Sequence, residues 1–194
     1  MAISDVRPSP IAGTWYPGDA RRLAQSIADY LAAASLPELP GQVLGIITPH
    51  AGHRYSGHTA GHAFKAVQGA DWERVVVLSP FHGYTSAALL TSAHRAYATP
   101  LGEIPVDGEA LAELGVALQQ AGGPHLTPAA YDPEHSLEIE LPFLQIALEK
   151  PFSLVPFMVR ERDPRQLQTL GHALAKVLQS RPALIVASTD LSHF

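Results

Sequence analysis

No cysteine occurs anywhere in the 194 residues. Disulfides, thiolate zinc sites, iron–sulfur clusters and a thiol nucleophile are therefore excluded, and a reducing, cytoplasmic setting is the natural expectation. No apolar run approaches the roughly 18 residues of a membrane span, and the stretch from Met1 to Arg7 lacks the apolar centre of a secretory signal. Lysine and arginine form no cluster and the net charge is −5, so no basic face exists to neutralise nucleic-acid phosphates. The glycine motifs that cradle nucleotide phosphates are missing too: neither G-x-G-x-x-G after a strand nor G-x-x-x-x-G-K-[ST] is present. There is no G-x-S-x-G nucleophile elbow. Gly57-His-Thr-Ala-Gly61 imitates it only distantly, with threonine in place of serine.

Histidine is what the chain has in quantity, ten residues against thirteen lysines plus arginines. Imidazole titrates near neutrality and is the commonest metal ligand, so this excess directs attention to its positions. A hydrophobic content of 46% with 16% charged residues supports an ordinary packed core, and the length suits one domain spanning 1–194.

Apolar periodicity predicts alternating helices and strands. Residues 1–18 read as a Pro- and Gly-rich arm lying across the surface. Asp19 caps a helix that runs to about Ala34 on Leu23, Ile27, Tyr30 and Leu31. A strand over about 43–48 breaks at Pro49, and a helix follows from Thr59 to Val67. Val75 to Ser79 is the clearest buried strand and ends in Pro80-Phe-His-Gly83. A weaker strand is expected near Ala87 to Thr91, Pro100 to Asp107 reads as a turn-rich connection, and a helix opens at Asp107 or Gly108. Thr127 to Glu134 reads as loop, and Ser136 to Leu148 becomes helical. Phe152 to Val159 is a strand whose Pro156 suggests an edge or irregular position. Asp163 caps another helix, and Ala183 to Ser188 is the final strand. This alternation predicts a three-layer α/β/α domain with a mostly parallel or mixed central sheet.

Three of the strands end in polar residues: His50 after the first, His82 after the second, and Asp190 with His193 after the last. Parallel neighbours would bring these ends to one rim, the place where open α/β sheets hold ligands. Imidazoles and a carboxylate there suit Zn²⁺, or Fe²⁺ with open coordination positions. A fourth cluster, Asp132-Pro-Glu-His-Ser136, begins a helix, where amide groups and the dipole favour a carboxylate or anion. His53, next to His50, reads as a pocket residue or a solvated one. His58 and His62 have the i, i+4 spacing of a zinc helix, but Thr-Ala-Gly between them lacks the glutamate of H-E-x-x-H. Glu138 and Glu140 read as residues of a solvated face.

The segments Ala12-Gly-Thr-Trp-Tyr-Pro17, Pro49-His-Ala-Gly-His-Arg-Tyr-Ser-Gly57, Ser79-Pro-Phe-His82, Glu134-His-Ser-Leu-Glu-Ile-Glu-Leu-Pro-Phe143 and Ser188-Thr-Asp-Leu-Ser-His193 resemble, in order, the Memo family, known in prokaryotes as AmmeMemoRadiSam system protein B. The family is similar in fold to the class III extradiol dioxygenases. The resemblance implies that His50 and His82 are metal ligands. It also implies that His193, with Asp190 beside it, is an acid–base group, and that Glu134 and His135 line the pocket. Fe²⁺ is the ion it suggests, with Cu or Zn as alternatives, and AMMECR-like and radical-SAM proteins are the partners. It names no small-molecule substrate. The sequence departs from the family pattern at His53, where tyrosine is common, and at Pro-Phe-His-Gly83, where Pro-Ser-His-His is usual. It also stops at Phe194, before the part of the family fold expected to add core and a further metal-site side chain.

Three functions follow as expectations. The first is a metal-dependent oxidoreductase of dioxygenase type. The second is a non-catalytic binding or scaffold protein of the AMMECR-like and radical-SAM assembly. The third is a zinc hydrolase with Glu134 as its base.

Overall fold

The computed structural model describes residues 5–130 and 132–191. Its elements in chain order are β1 (Val6–Arg7), α1 (Ala20–Ala33), β2 (Gly45–Thr48), α2 (His53–Lys65), β3 (Arg74–Pro80), β4 (Leu89–Ser92), β5 (Ala96–Thr99) and β6 (Gly102–Pro105). There follow α3 (Gly108–Gln120), β7 (Leu126–Ala129), α4 (His135–Glu138), α5 (Leu141–Ala147), β8 (Ser153–Val159), α6 (Pro164–Leu178) and β9 (Leu184–Ser188).

α1, α3 and α6 are each explained by a capped start and an apolar stripe. Asp19 accepts from the Arg22 amide at the head of α1, and Leu23, Ile27 and Leu31 then fall on one buried face. Asp107 and Asp163 cap α3 and α6 in the same way, and Pro164 occupies the first turn of α6 where its missing N–H costs nothing.

The main sheet has the order β2-β9-β3-β8-β4-β7, with every pairing parallel except β4 against β8. One face meets α1, α2 and α5 through a core that includes Leu23, Phe64, Val75 and Phe143. The other meets α3 and α6 through Val76, Leu114, Phe157 and Leu174. The result is the expected three-layer α/β/α domain with a mixed sheet. α1 and α2 approach so closely that a Cβ on Gly61 would stand 2.7 Å from the Tyr30 carbonyl oxygen, a contact only glycine permits. Among the described residues no helix is long and apolar enough to cross a membrane.

Several expectations are corrected. β8 is internal, not at an edge: Pro156 is tolerated because β4 pairs only with Met158 and Val159, and Thr91 Oγ1 donates to the Pro156 carbonyl on that flank. The connection from Pro100 contains β6, which forms a hairpin with β5, and β1 joins the same three-stranded sheet. The N-terminal arm is therefore partly built into the domain: Arg7, Ile11 and Tyr16 are buried. The loop read from Thr127 carries β7. Glu138 and Glu140 are not solvated but 0% and 1% exposed, because α4 and α5 press between the sheet and the arm.

Candidate metal centre

The site follows from strand register. Thr48 of β2 faces Ser188 of β9, and the Thr189 amide extends the ladder by donating to the Thr48 carbonyl. Two residues past that pair, His50 and Asp190 stand side by side. The His50 amide donates to Asp190 Oδ1 at 2.9 Å, and His50 Nε2 lies 3.5 Å from Asp190 Oδ2. β3, on the other flank of β9, delivers His82 just beyond its end. The third imidazole, His135, comes from the first residue of α4, which Ser136 Oγ ties to the Pro80 carbonyl at 3.0 Å.

Glu134 organises this rim. Its carboxylate caps α4 by accepting from the His135 and Ser136 amides, each at 3.0 Å. It also accepts from the His82 amide at 2.6 Å and lies 2.8 Å from His82 Nδ1. His135 Nδ1 is 3.4 Å away. Burial alone would raise the Glu134 pKa, but the bonds from His82 and Ser136 prevail and hold it below the ordinary carboxylate value. An anionic acceptor on Nδ1 places the His82 proton there, so Nε2 is the nitrogen that would ligate. The same logic applies to His50. Ser188 Oγ donates to the Ser136 carbonyl at 2.6 Å and so accepts from His50 Nδ1 at 3.1 Å. Burial, helped by His135 and His82, lowers the His50 pKa against the pull of Asp190. A neutral imidazole is the form a metal requires.

The three rings converge. His82 and His135 stack at 4.7 Å between centroids, and His50 stands edge-on to both at 5.5 and 5.8 Å. One ligand atom from each lies within 4.8 Å of the others. Two nitrogens at about 2.1 Å from one tetrahedral ion stand about 3.4 Å apart. Inward shifts of up to about 0.8 Å per ring nitrogen would close the set, within the reach of side-chain rotation, so the residues fit a divalent cation. His50 is buried whereas the His82 side chain is 35% exposed, which leaves one side open to solvent.

His50, His82, His135 and Glu134 thus come together with Asp190 at one rim. His193 lies outside the described residues. His53 sits in the packed interior, with Nε2 3.2 Å from the Ile139 carbonyl and its ring against Phe143 and Tyr16. Burial pushes its pKa down to about 4. His58 and His62 are exposed on α2, and neither belongs to the group of three converging imidazoles.

Sequence reasoning passed over Arg7. Its guanidinium, 1% exposed, donates to Asp132 Oδ2 at 2.8 Å, to Glu138 Oε2 at 2.5 Å and to the Glu134 carbonyl at 2.7 Å. A signal for it existed. Residues 126–148 carry Asp132, Glu134, Glu138 and Glu140 without one lysine or arginine. An acidic, otherwise apolar segment needs a cation from elsewhere once it is buried.

The family model described as Memo-like protein matches residues 7–194. Among curated relatives, a MEMO1 family protein of Nitrosopumilus maritimus is 31% identical over 193 residues, covering 97% of this chain and 69% of its own length. A MEMO1 family protein of Aquifex aeolicus is 34% identical over 191 residues, with 97% and 68% covered. The protein memo-1 homolog of Caenorhabditis elegans is 31% identical over 189 residues, and the chain spans 53% of it.

Proposed function

The chain belongs to the Memo family, and from that premise we propose that its strand-end rim is a divalent-metal centre serving oxidation of a small, electron-rich molecule. The observation that carries this reading is the convergence of three imidazoles, two of them with Nδ1 held by a fixed acceptor. Such an arrangement leaves Nε2 of His50 and His82 as the ligating nitrogen and fixes those ring planes before an ion arrives.

His50, His82 and His135 would hold the ion. When bound, ferrous iron would supply open positions at which dioxygen and the substrate meet. Glu134 keeps two of the rings oriented and adds a negative charge that offsets the cation's. Asp190 anchors the His50 backbone and places a second carboxylate at the rim, where it can orient a proton-transferring imidazole; His193 is the residue proposed for that role. The half-open flank at His82 gives the substrate its approach. A hydrolytic role is less well supported, because Glu134 is committed to four hydrogen bonds and is poorly placed to activate water.

Metal analysis of protein purified anaerobically tests the reading. Iron, copper or zinc is expected at about one ion per chain, with His50→Ala, His82→Ala and His135→Ala each losing it. Glu134→Gln is expected to keep the fold and weaken binding about 10- to 100-fold, the usual effect of removing a ligand's hydrogen-bond partner. If the wild-type chain takes up no metal and the histidine variants behave like it, the oxidoreductase reading fails. A binding role with AMMECR-like and radical-SAM partners would then take its place.

A further inference from the structure

We propose that the N-terminal arm, residues 5–18, is a strap that assembles the metal centre, so that docking of the arm and binding of the ion reinforce each other. The proposal rests on the metal reading above and concerns what sets the geometry of that site.

The arm reaches the rim along two routes. The first is polar and runs through Glu134. The Glu134 amide donates to Asp132 Oδ1 at 2.8 Å, while the Glu134 carbonyl accepts from Arg7 Nη2 at 2.7 Å. Arg7 Nε holds the other oxygen of the same Asp132, so one guanidinium fixes the peptide groups on both sides of Glu134. Ser9 and Tyr16, also of the arm, both donate to Glu138 Oε1, at 2.5 and 2.7 Å. Glu138 ends the short helix that His135 begins. A four-residue helix has almost no stability of its own, so its orientation is set by these bonds.

The second route is direct. The Trp15 ring lies 4.2 Å from the His135 ring, tilted by 40°. The Trp15 carbonyl accepts from the His53 amide at 2.9 Å, at the first residue of α2 and three residues beyond His50. The arm therefore braces the helix that carries His135 and the turn that carries His50. It does so from a segment with little regular structure, in which β1 pairs only two residues with β5. Such a segment undocks more readily than the central sheet. An ion that needs His135 in place must then favour the docked arm, and by reciprocity the docked arm must raise the affinity for the ion.

Trp15 is the residue to vary, because it is 37% exposed and its loss leaves the buried charges paired. Zn²⁺ affinity by competition with a chelating dye, and hydrogen exchange of residues 11–16 with and without Zn²⁺, are the two measurements. Trp15→Ala is expected to bind Zn²⁺ about 10-fold more weakly, Trp15→Phe to recover most of that loss, and the metal-free melting temperature to stay within a few degrees of wild type. In the wild-type chain, saturating Zn²⁺ should slow exchange of the Trp15 amide at least about 10-fold, and the slowing should shrink in Trp15→Ala. A purely structural arm would show no metal-dependent exchange. Equal Zn²⁺ affinity in all three proteins, with arm exchange unchanged by Zn²⁺, overturns the strap and leaves the metal site standing. Absence of Zn²⁺ and Fe²⁺ binding by the wild-type chain overturns both.

Discussion

Arg7→Met is expected to lower the thermal unfolding midpoint by roughly 10 °C, measured by calorimetry with a chelator present. Arg7 is the cation within reach of two buried carboxylates, those of Asp132 and Glu138, which are 9% and 0% exposed. Its charge is also spread over the face of Tyr97, 4.9 Å from the ring centroid. Burial by itself would lower the Arg7 pKa, yet Asp132, Tyr97 and Glu138 outweigh it and hold the guanidinium charged. Removing one member of such a set strands the rest without compensation, typically a loss of about 3–5 kcal/mol. For a chain of this length each kcal/mol moves the midpoint by about 2–4 °C. Arg7→Lys should fall between, since it keeps the charge but cannot serve Asp132, Glu138 and the Glu134 carbonyl with one planar fork. A midpoint within about 2 °C of wild type for Arg7→Met would show that the network contributes little.

Glu140→Gln is expected to do the opposite and stabilise the protein, by roughly 3 kcal/mol at pH 7. Glu140 is 1% exposed and its Oε1 has no hydrogen-bond partner. Burial pushes its pKa up to about 8, and nearby Asp190 adds to the rise. The sign follows from proton counts. Between the unfolded carboxyl's pKa of about 4.3 and the folded value of about 8, the native state binds more protons than the unfolded chain. The protein's stability is therefore greatest below the lower value and falls as pH rises toward the upper one, by up to about 1.4 kcal/mol per pH unit from this group. Glutamine mimics the neutral acid at every pH and escapes that fall. Denaturant titrations of wild type and Glu140→Gln should coincide near pH 4, separate steadily to about pH 8 and then run parallel. A gap that does not change with pH would mean that Glu140 is already ionised in the native protein.

Both residues lie where local reading gave no purchase. Glu138 and Glu140 alternate with Leu137, Ile139 and Leu141, a pattern that suggests one wet face. Both faces are in fact covered, because the segment folds into two short helices wedged between the sheet and the arm. Arg7 stands in a Pro-rich stretch that reads as surface, and its partners are more than 120 residues away along the chain. No window of sequence joins such distant groups.

The strand ends were another matter. Val75 to Ser79 and Leu184 to Ser188 announce buried strands by composition, and residues just beyond the carboxyl ends of parallel strands must gather at one rim. His50, His82 and Asp190 are therefore grouped by the sequence itself. The fold class, the helix caps at Asp19 and Asp163, and that grouping were determined by the amino-acid order alone, since they depend on periodicity and on chemistry within a few residues. Glu134 and His135 are expected at the pocket from the family resemblance, but the order of strands, the joining of the His135 ring to those of His50 and His82, the hydrogen bonds of Glu134 and the bracing arm were decided only by tertiary structure. They are contacts between segments far apart in the chain, and their energies depend on burial, which a linear sequence does not display.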